Sequence, residues 1–142
     1  MNLFSPSFNY GEIIPAKFTC DGENVNPHLN IQDLPGNTQS LVLIMDDPDS
    51  PSGLFTHWVL YDIPITSEIM ENSAPGKQGI NDFGKLGYGG PCPGSGKHRY
   101  FFNLFALDCS LNLDPEMPRE KVESAMKNHI LLKTQLMGKY QR

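Results

Sequence analysis

Apolar residues in this chain fall in short dense runs, separated by stretches rich in glycine, proline and asparagine. Leu41–Asp47 reads LVLIMDD, a run of branched apolar residues too short for a globular helix and suited to a buried strand. Thr56–Ile63, THWVLYDI, predicts the next strand. Arg99–Asp108, RYFFNLFALD, is apolar on both faces and predicts a central strand of a sandwich. Weaker strand patterns cover Ile13–Cys20 and His28–Ile31, and LLKTQLMGKY (Leu131–Tyr140) alternates as a final strand. A helical period appears in Pro118–His129, where proline stands at the start and loses no needed hydrogen bond. It sets Val122, Ala125, Met126 and His129 on one face, so His129 is expected to pack. A short helical turn is expected near Ser67–Met70. The predicted fold is all-β dominated: an antiparallel β-sandwich with one late C-terminal helix.

Composition narrows this picture. The 142 residues fit a single domain over 1–142, and 13 glycines with 12 prolines are too much punctuation for a helical bundle. A net charge of −5 without a basic stripe argues against nucleic acid as a partner. No apolar stretch approaches the roughly 18–20 residues of a membrane span, and no signal-peptide pattern opens the sequence. Cys20, Cys92 and Cys109 are odd in number, widely spaced and without a CxxC pair. They predict reduced thiols, neither a disulfide framework nor a zinc site, and a cytoplasmic location.

Asn72–Lys97 interrupts the pattern. A long glycine-rich stretch with little periodicity inside a small domain is either disordered or wrapped around a site. Phe83, Leu86 and Tyr88 favour the ordered loop, because they need contacts. Polar candidates gather at loop–strand junctions, the usual place for a site. Asp47 closes one predicted strand, His57 opens another, and His98 and Tyr100 share a face where the third begins. Gly89 and Gly90 let backbone approach a ligand. Pro91 and Pro93 stiffen the rim, where Cys92 is expected to react faster than Cys109.

Asp47-Pro48-Asp49-Ser50-Pro51, His57-Trp58, Gly90-Pro91 and Gly96-Lys97-His98-Arg99-Tyr100 together resemble the phosphatidylethanolamine-binding protein family. With FTCDGENVNPHL (Phe18–Leu29), the likeness covers nearly the whole chain and points to the bacterial and archaeal Raf-kinase-inhibitor-like branch. It implies an anion pocket for phosphate or phospholipid-head-group-like ligands, lined by Asp47, Pro51, His57, Gly90, Pro91, His98 and Tyr100. It also implies a regulatory role through a protein partner such as a kinase or protease, a homodimer, and no cofactor. Two departures stand out: Asn26 where many relatives have serine, and Cys92 where some have proline.

The chemistry of such a pocket follows from its residue types. His57, His98 and the Tyr100 hydroxyl can donate to phosphate oxygens, and backbone N–H groups around Gly90 can form a nest. Asp47 would repel phosphate, so it is expected to fix a histidine tautomer or to receive an ammonium. Asp49 is expected to brace the turn, and Arg99, on the opposite strand face, to pair with an acid. Two other readings compete with a binding module. Asp47, His57 and His98 could hold a metal as two imidazoles and a carboxylate. A hydrolase could use Cys92 with His98, because Gly94-Ser95-Gly96 follows a proline and lacks a nucleophile-elbow frame. With no convincing nucleophile motif, a non-enzymatic protein is expected.

Overall fold

A computed structural model describes residues 1–142 as two antiparallel sheets. The smaller has order β1-β2-β5, from β1 (Asn2–Phe4), β2 (Leu29–Gln32) and β5 (Glu68–Ile69). The larger has order β6-β4-β3-β7-β8, from β3 (Ser40–Asp47), β4 (Phe55–Ile63), β6 (Lys77–Gln78), β7 (Lys97–Leu107) and β8 (Ile130–Gln141). The helix α1 spans Arg119–Met126.

The dense apolar runs are the three inner strands of the larger sheet, which is covered on both faces. One face sends Leu41, Leu43 and Met45 of β3, Trp58 and Leu60 of β4, and Tyr100, Phe102 and Leu104 of β7 into one core. Leu29, Ile31 and Ile69 of the smaller sheet meet them there. The other face sends Val42, Ile44, Val59, Tyr61, Phe105 and Leu107 against Val122 and Met126 of α1. All eight residues of β3 are buried. Each large apolar side chain taken from water contributes roughly 1.5–3 kcal/mol, so these two layers carry the fold.

Several expectations are corrected. Ile13–Cys20 is not a strand: Pro15 caps a 3-10 turn at Ala16–Phe18, and Ile13 makes only an isolated bridge to Lys139. Residues 67–70 hold β5 rather than a helical turn, because their backbone pairs with β2. The helix stops at Met126, so His129 falls outside it, exposed and hydrogen-bonded to Asp108 instead of packed. The thiol expectation fails as well. Cys20 and Cys92 form a disulfide, with their Cα atoms 5.4 Å apart, and only Cys109 is free. Spacing along the chain could not show that the 3-10 turn brings Cys20 against the glycine-rich loop. Because one cystine is present, cysteine usage no longer argues for a reducing compartment.

The segment from Asn72 to Lys97 is ordered, and its backbone runs along β4. Gly79, Asp82 and Gly89 donate N–H groups to the carbonyls of Val59, Thr56 and His57 at 2.8, 2.9 and 3.0 Å. Buried Asn81 shapes its tightest bend. Its Oδ1 accepts the N–H groups of Phe83 and Lys85, and its Nδ2 donates to the Gly87 carbonyl.

Candidate functional site

Tyr100, Phe102 and Leu104 point from β7 into the inter-sheet core, and the same alternation puts His98 on that face at the strand's start. β3 runs antiparallel beside it and delivers Asp47 to the same end of the sandwich. His57, near the start of β4, completes the group. These side chains line a cavity of about 180 Å³ with Ser50, Pro51, Phe55, Phe83 and the Cys92-Pro93-Gly94 rim. At about 30 Å³ of liquid volume per water molecule, that is roughly six waters, enough for a tetrahedral oxyanion and a small substituent.

Both imidazoles are oriented from behind. His57 Nδ1–H donates to the Gly89 carbonyl at 2.6 Å. A carbonyl can only accept, so this tautomer leaves Nε2 as a lone pair on the free side of the ring. His98 Nδ1–H donates to Asp47 Oδ2 at 2.7 Å, while Asp47 Oδ1 accepts the Asp49 N–H at 2.7 Å. Neither His57 Nε2 nor His98 Nε2 has a protein partner, and no buried side-chain nitrogen or oxygen lacks one. The two free ring nitrogens are therefore open to the cavity.

The walls are aromatic. The His57 ring meets Phe55, Phe83 and Tyr100 at centroid distances of 5.0, 5.3 and 5.3 Å, and His98 stacks on Tyr100 at 6.4 Å. Burial lowers the His57 pKa below its ordinary 6.5, against the opposing pull of the Gly89 carbonyl and the Asp47 charge. Burial, then the Asp47 charge, pushes the Tyr100 hydroxyl well up, so it stays protonated.

Asp47, Pro51, His57, His98 and Tyr100 thus meet at one cavity, whereas Gly90 and Pro91 are not among its lining residues. The Gly90 N–H is spent on Asn24 Oδ1 at 2.8 Å, and the Pro91 carbonyl accepts the Cys20 N–H at 3.1 Å. Gly90 does serve a close approach, but to protein. A Cβ there would sit 2.3 Å from the Phe18 carbonyl oxygen. The expected backbone nest at Gly90 is therefore absent.

The expected metal triad does not converge either. Asp47, His57 and His98 do not bring one ligand atom each within 4.8 Å of the other two, as a shared ion would need. The Cys92–His98 thiolate pair is ruled out in this state, because Cys92 is oxidised to cystine. Asp49 braces β7 rather than its own turn. It accepts the Arg99 N–H and takes two guanidinium bonds, all at 2.9 Å, and Arg99 holds its carboxyl at about 2. The turn-bracing role falls to Asp47. Phe55 and Phe83 were missed as site residues. For Phe83 the signal is an aromatic needing contacts in a glycine-rich loop, and for Phe55, which opens β4, the sequence carries none.

The sequence model described as phosphatidylethanolamine-binding protein matches residues 4–141. A UPF0098 protein of Aquifex aeolicus is 53% identical over 152 residues, covering all of this chain and 89% of its own length. One from Methanothermobacter thermautotrophicus is 48% identical, covering 100% of this chain and 99% of its own. The crystal structure of a phosphatidylethanolamine-binding protein homologue from Chlamydia trachomatis superposes with a TM-score of 0.95 at 39% identity, over 99% of this chain and 96% of that one. E. coli YbcL has the same fold, with a TM-score of 0.90 at 24% identity over 99% and 98% of the two chains. With its predicted motifs gathered at one end of a two-sheet sandwich, this chain belongs to the phosphatidylethanolamine-binding protein family.

Proposed function

We propose that the cavity binds a small oxyanion of the phosphate-ester or sulfonate class and that the protein acts by binding rather than by catalysis. One observation carries this reading. Both histidines have Nδ1 held by a protein oxygen, so two Nε2 atoms are left facing one small aromatic-walled cavity. That arrangement suits a ligand that brings protons or draws them onto the rings. Phe55 and Phe83 suit an apolar or aryl substituent on the anion. Asp47 supports the site from behind by fixing the His98 tautomer.

The pH dependence has a definite sign. Free His57 is neutral near pH 7 because burial lowers its pKa. An anion on Nε2 favours the imidazolium and raises that pKa on binding. Between the free and bound values, binding takes up a proton, so affinity rises as pH falls, by at most about tenfold per pH unit. Benzenesulfonate is a suitable probe, because its charge is fixed over the range.

Calorimetric titration between about pH 5 and 8, bracketing the histidine reference value, tests the reading. Wild-type affinity should climb toward acid, and His57→Gln should flatten the slope. His57→Gln with His98→Gln should abolish measurable binding. Affinity that is flat with pH and unchanged in the double variant would overturn the proposal.

A further inference from the structure

At the opposite end of β7, outside the cavity, Asp108, Cys109 and His129 come together. One ligand atom from each lies within 4.8 Å of the other two. We propose that they form a site for a borderline-soft divalent cation of the zinc class, with Asp108 oxygen, Cys109 Sγ and His129 Nδ1 as ligands and water in the fourth position.

The donor set is the first argument. A thiolate, an imidazole and a carboxylate are the three protein ligand types that zinc takes, and a thiolate selects against magnesium and calcium. Tetrahedral bonds of about 2.0–2.3 Å place ligand atoms roughly 3.3–3.8 Å apart, so side-chain rotation alone closes the present spacing.

The backbone supplies the second argument, because it holds the ligands in place. The Asp108 N–H donates to the His129 carbonyl at 3.0 Å, the His129 N–H to the Met126 carbonyl at 2.9 Å, and Ser40 Oγ to the Cys109 carbonyl at 2.6 Å. A register shift between Ala106 and Leu107 lies next to the group, as bulges often lie beside sites they re-aim.

Charge is the third. Asp108 brings a carboxylate to the group, and its oxygen already meets one of the other two ligands. His129 Nδ1 now lies 2.8 Å from Asp108 Oδ1. Metal entry displaces that contact. The imidazole takes the Nε2–H tautomer, Nδ1 offers its lone pair, and the thiol proton goes to solvent.

Titration of the oxidised protein with Co²⁺ alone, without reductant, tests the site. Wild type should show a thiolate-to-cobalt charge-transfer band and the ligand-field bands of tetrahedral cobalt, both displaced by Zn²⁺. Cys109→Ser should lose the charge-transfer band, and His129→Gln should weaken Co²⁺ binding by tenfold or more. His57→Gln with His98→Gln should bind as wild type does. Thermal melts of each variant check that it is folded. If Asp108→Asn, closest to wild type in shape, also weakens binding, the carboxylate is a ligand. Absence of a charge-transfer band in wild type, or loss of cobalt only in the His57/His98 variant, would overturn the assignment.

Discussion

The disulfide supports a quantitative prediction. Cys20 and Cys92 are separated by 72 positions, so the bond closes a long loop in the unfolded chain. The chain-entropy relation assigns such a loop about 15 cal/mol/K, or about 4 kcal/mol at 25 °C. The native state needs no rearrangement to accept the bond's absence, because other contacts already hold the two segments together. Tyr88 Oη donates to the Phe18 carbonyl at 2.7 Å, Gly90 N–H to Asn24 Oδ1 at 2.8 Å, and Cys20 N–H to the Pro91 carbonyl at 3.1 Å. Removing the cross-link should therefore act chiefly on the unfolded state and leave the fold intact. For a domain of this size, about 4 kcal/mol corresponds to a Tm lower by roughly 10–15 °C. Differential scanning calorimetry of Cys20→Ser with Cys92→Ser, against the oxidised wild type, measures the shift. Thiol titration of denatured, unreduced protein should find Cys109 alone. Three titratable thiols, or equal melting temperatures, would refute the reasoning.

Two other substitutions probe buried groups. Arg119 donates to Asp46 Oδ2 at 2.9 Å and to Thr56 Oγ1 at 3.1 Å, and it opposes the burial that raises the Asp46 pKa. Arg119→Met should cost about 3–5 kcal/mol at pH 7. The loss should shrink toward acid pH, where the carboxyl is neutral, and in an Asp46→Asn background; a urea-melt loss of equal size in that background would contradict this. Gly90→Ala should cost about 1–3 kcal/mol, because its Cβ would meet the Phe18 carbonyl and Asn24 Oδ1. Gly36→Ala, with open space around it, should cost little, and similar urea midpoints for the two variants would sink the steric argument.

The parts of the fold that were legible are those where local pattern and burial agree. The runs at Leu41, Thr56 and Arg99 read as buried strands because β3, β4 and β7 are covered on both faces. The pocket histidines were legible because their place at strand ends follows from the same runs. Short strands such as β5 and β6, of two residues each, owe their form to a partner and leave no period of their own. Ile14 and Phe18 mimic a strand's spacing, yet a 3-10 turn begins at Ala16, after Pro15. Gly90 was read correctly as a close approach but assigned the wrong neighbour, because sequence shows the missing side chain and not what fills its place. The disulfide and the Asp108–Cys109–His129 group are matters of distance between remote segments, which spacing along the chain does not encode.

The pairing of residues 11–14 with 137–139 sets the order of events during synthesis. Gly11 N–H donates to the Met137 carbonyl, Ile14 N–H to the Lys139 carbonyl, and Lys139 N–H to the Glu12 carbonyl, so the early segment docks on a strand made late. Until β8 leaves the ribosome, β7 is an unpaired edge of 11 residues carrying Phe101 and Phe105. Long-range pairing of this kind folds slowly, on the scale of milliseconds to seconds. The nascent chain therefore passes through a stage with a sticky open edge, in which His98 and Tyr100 are already translated but only half framed. An edge open at that stage is the kind of surface that aggregates or that chaperones shield.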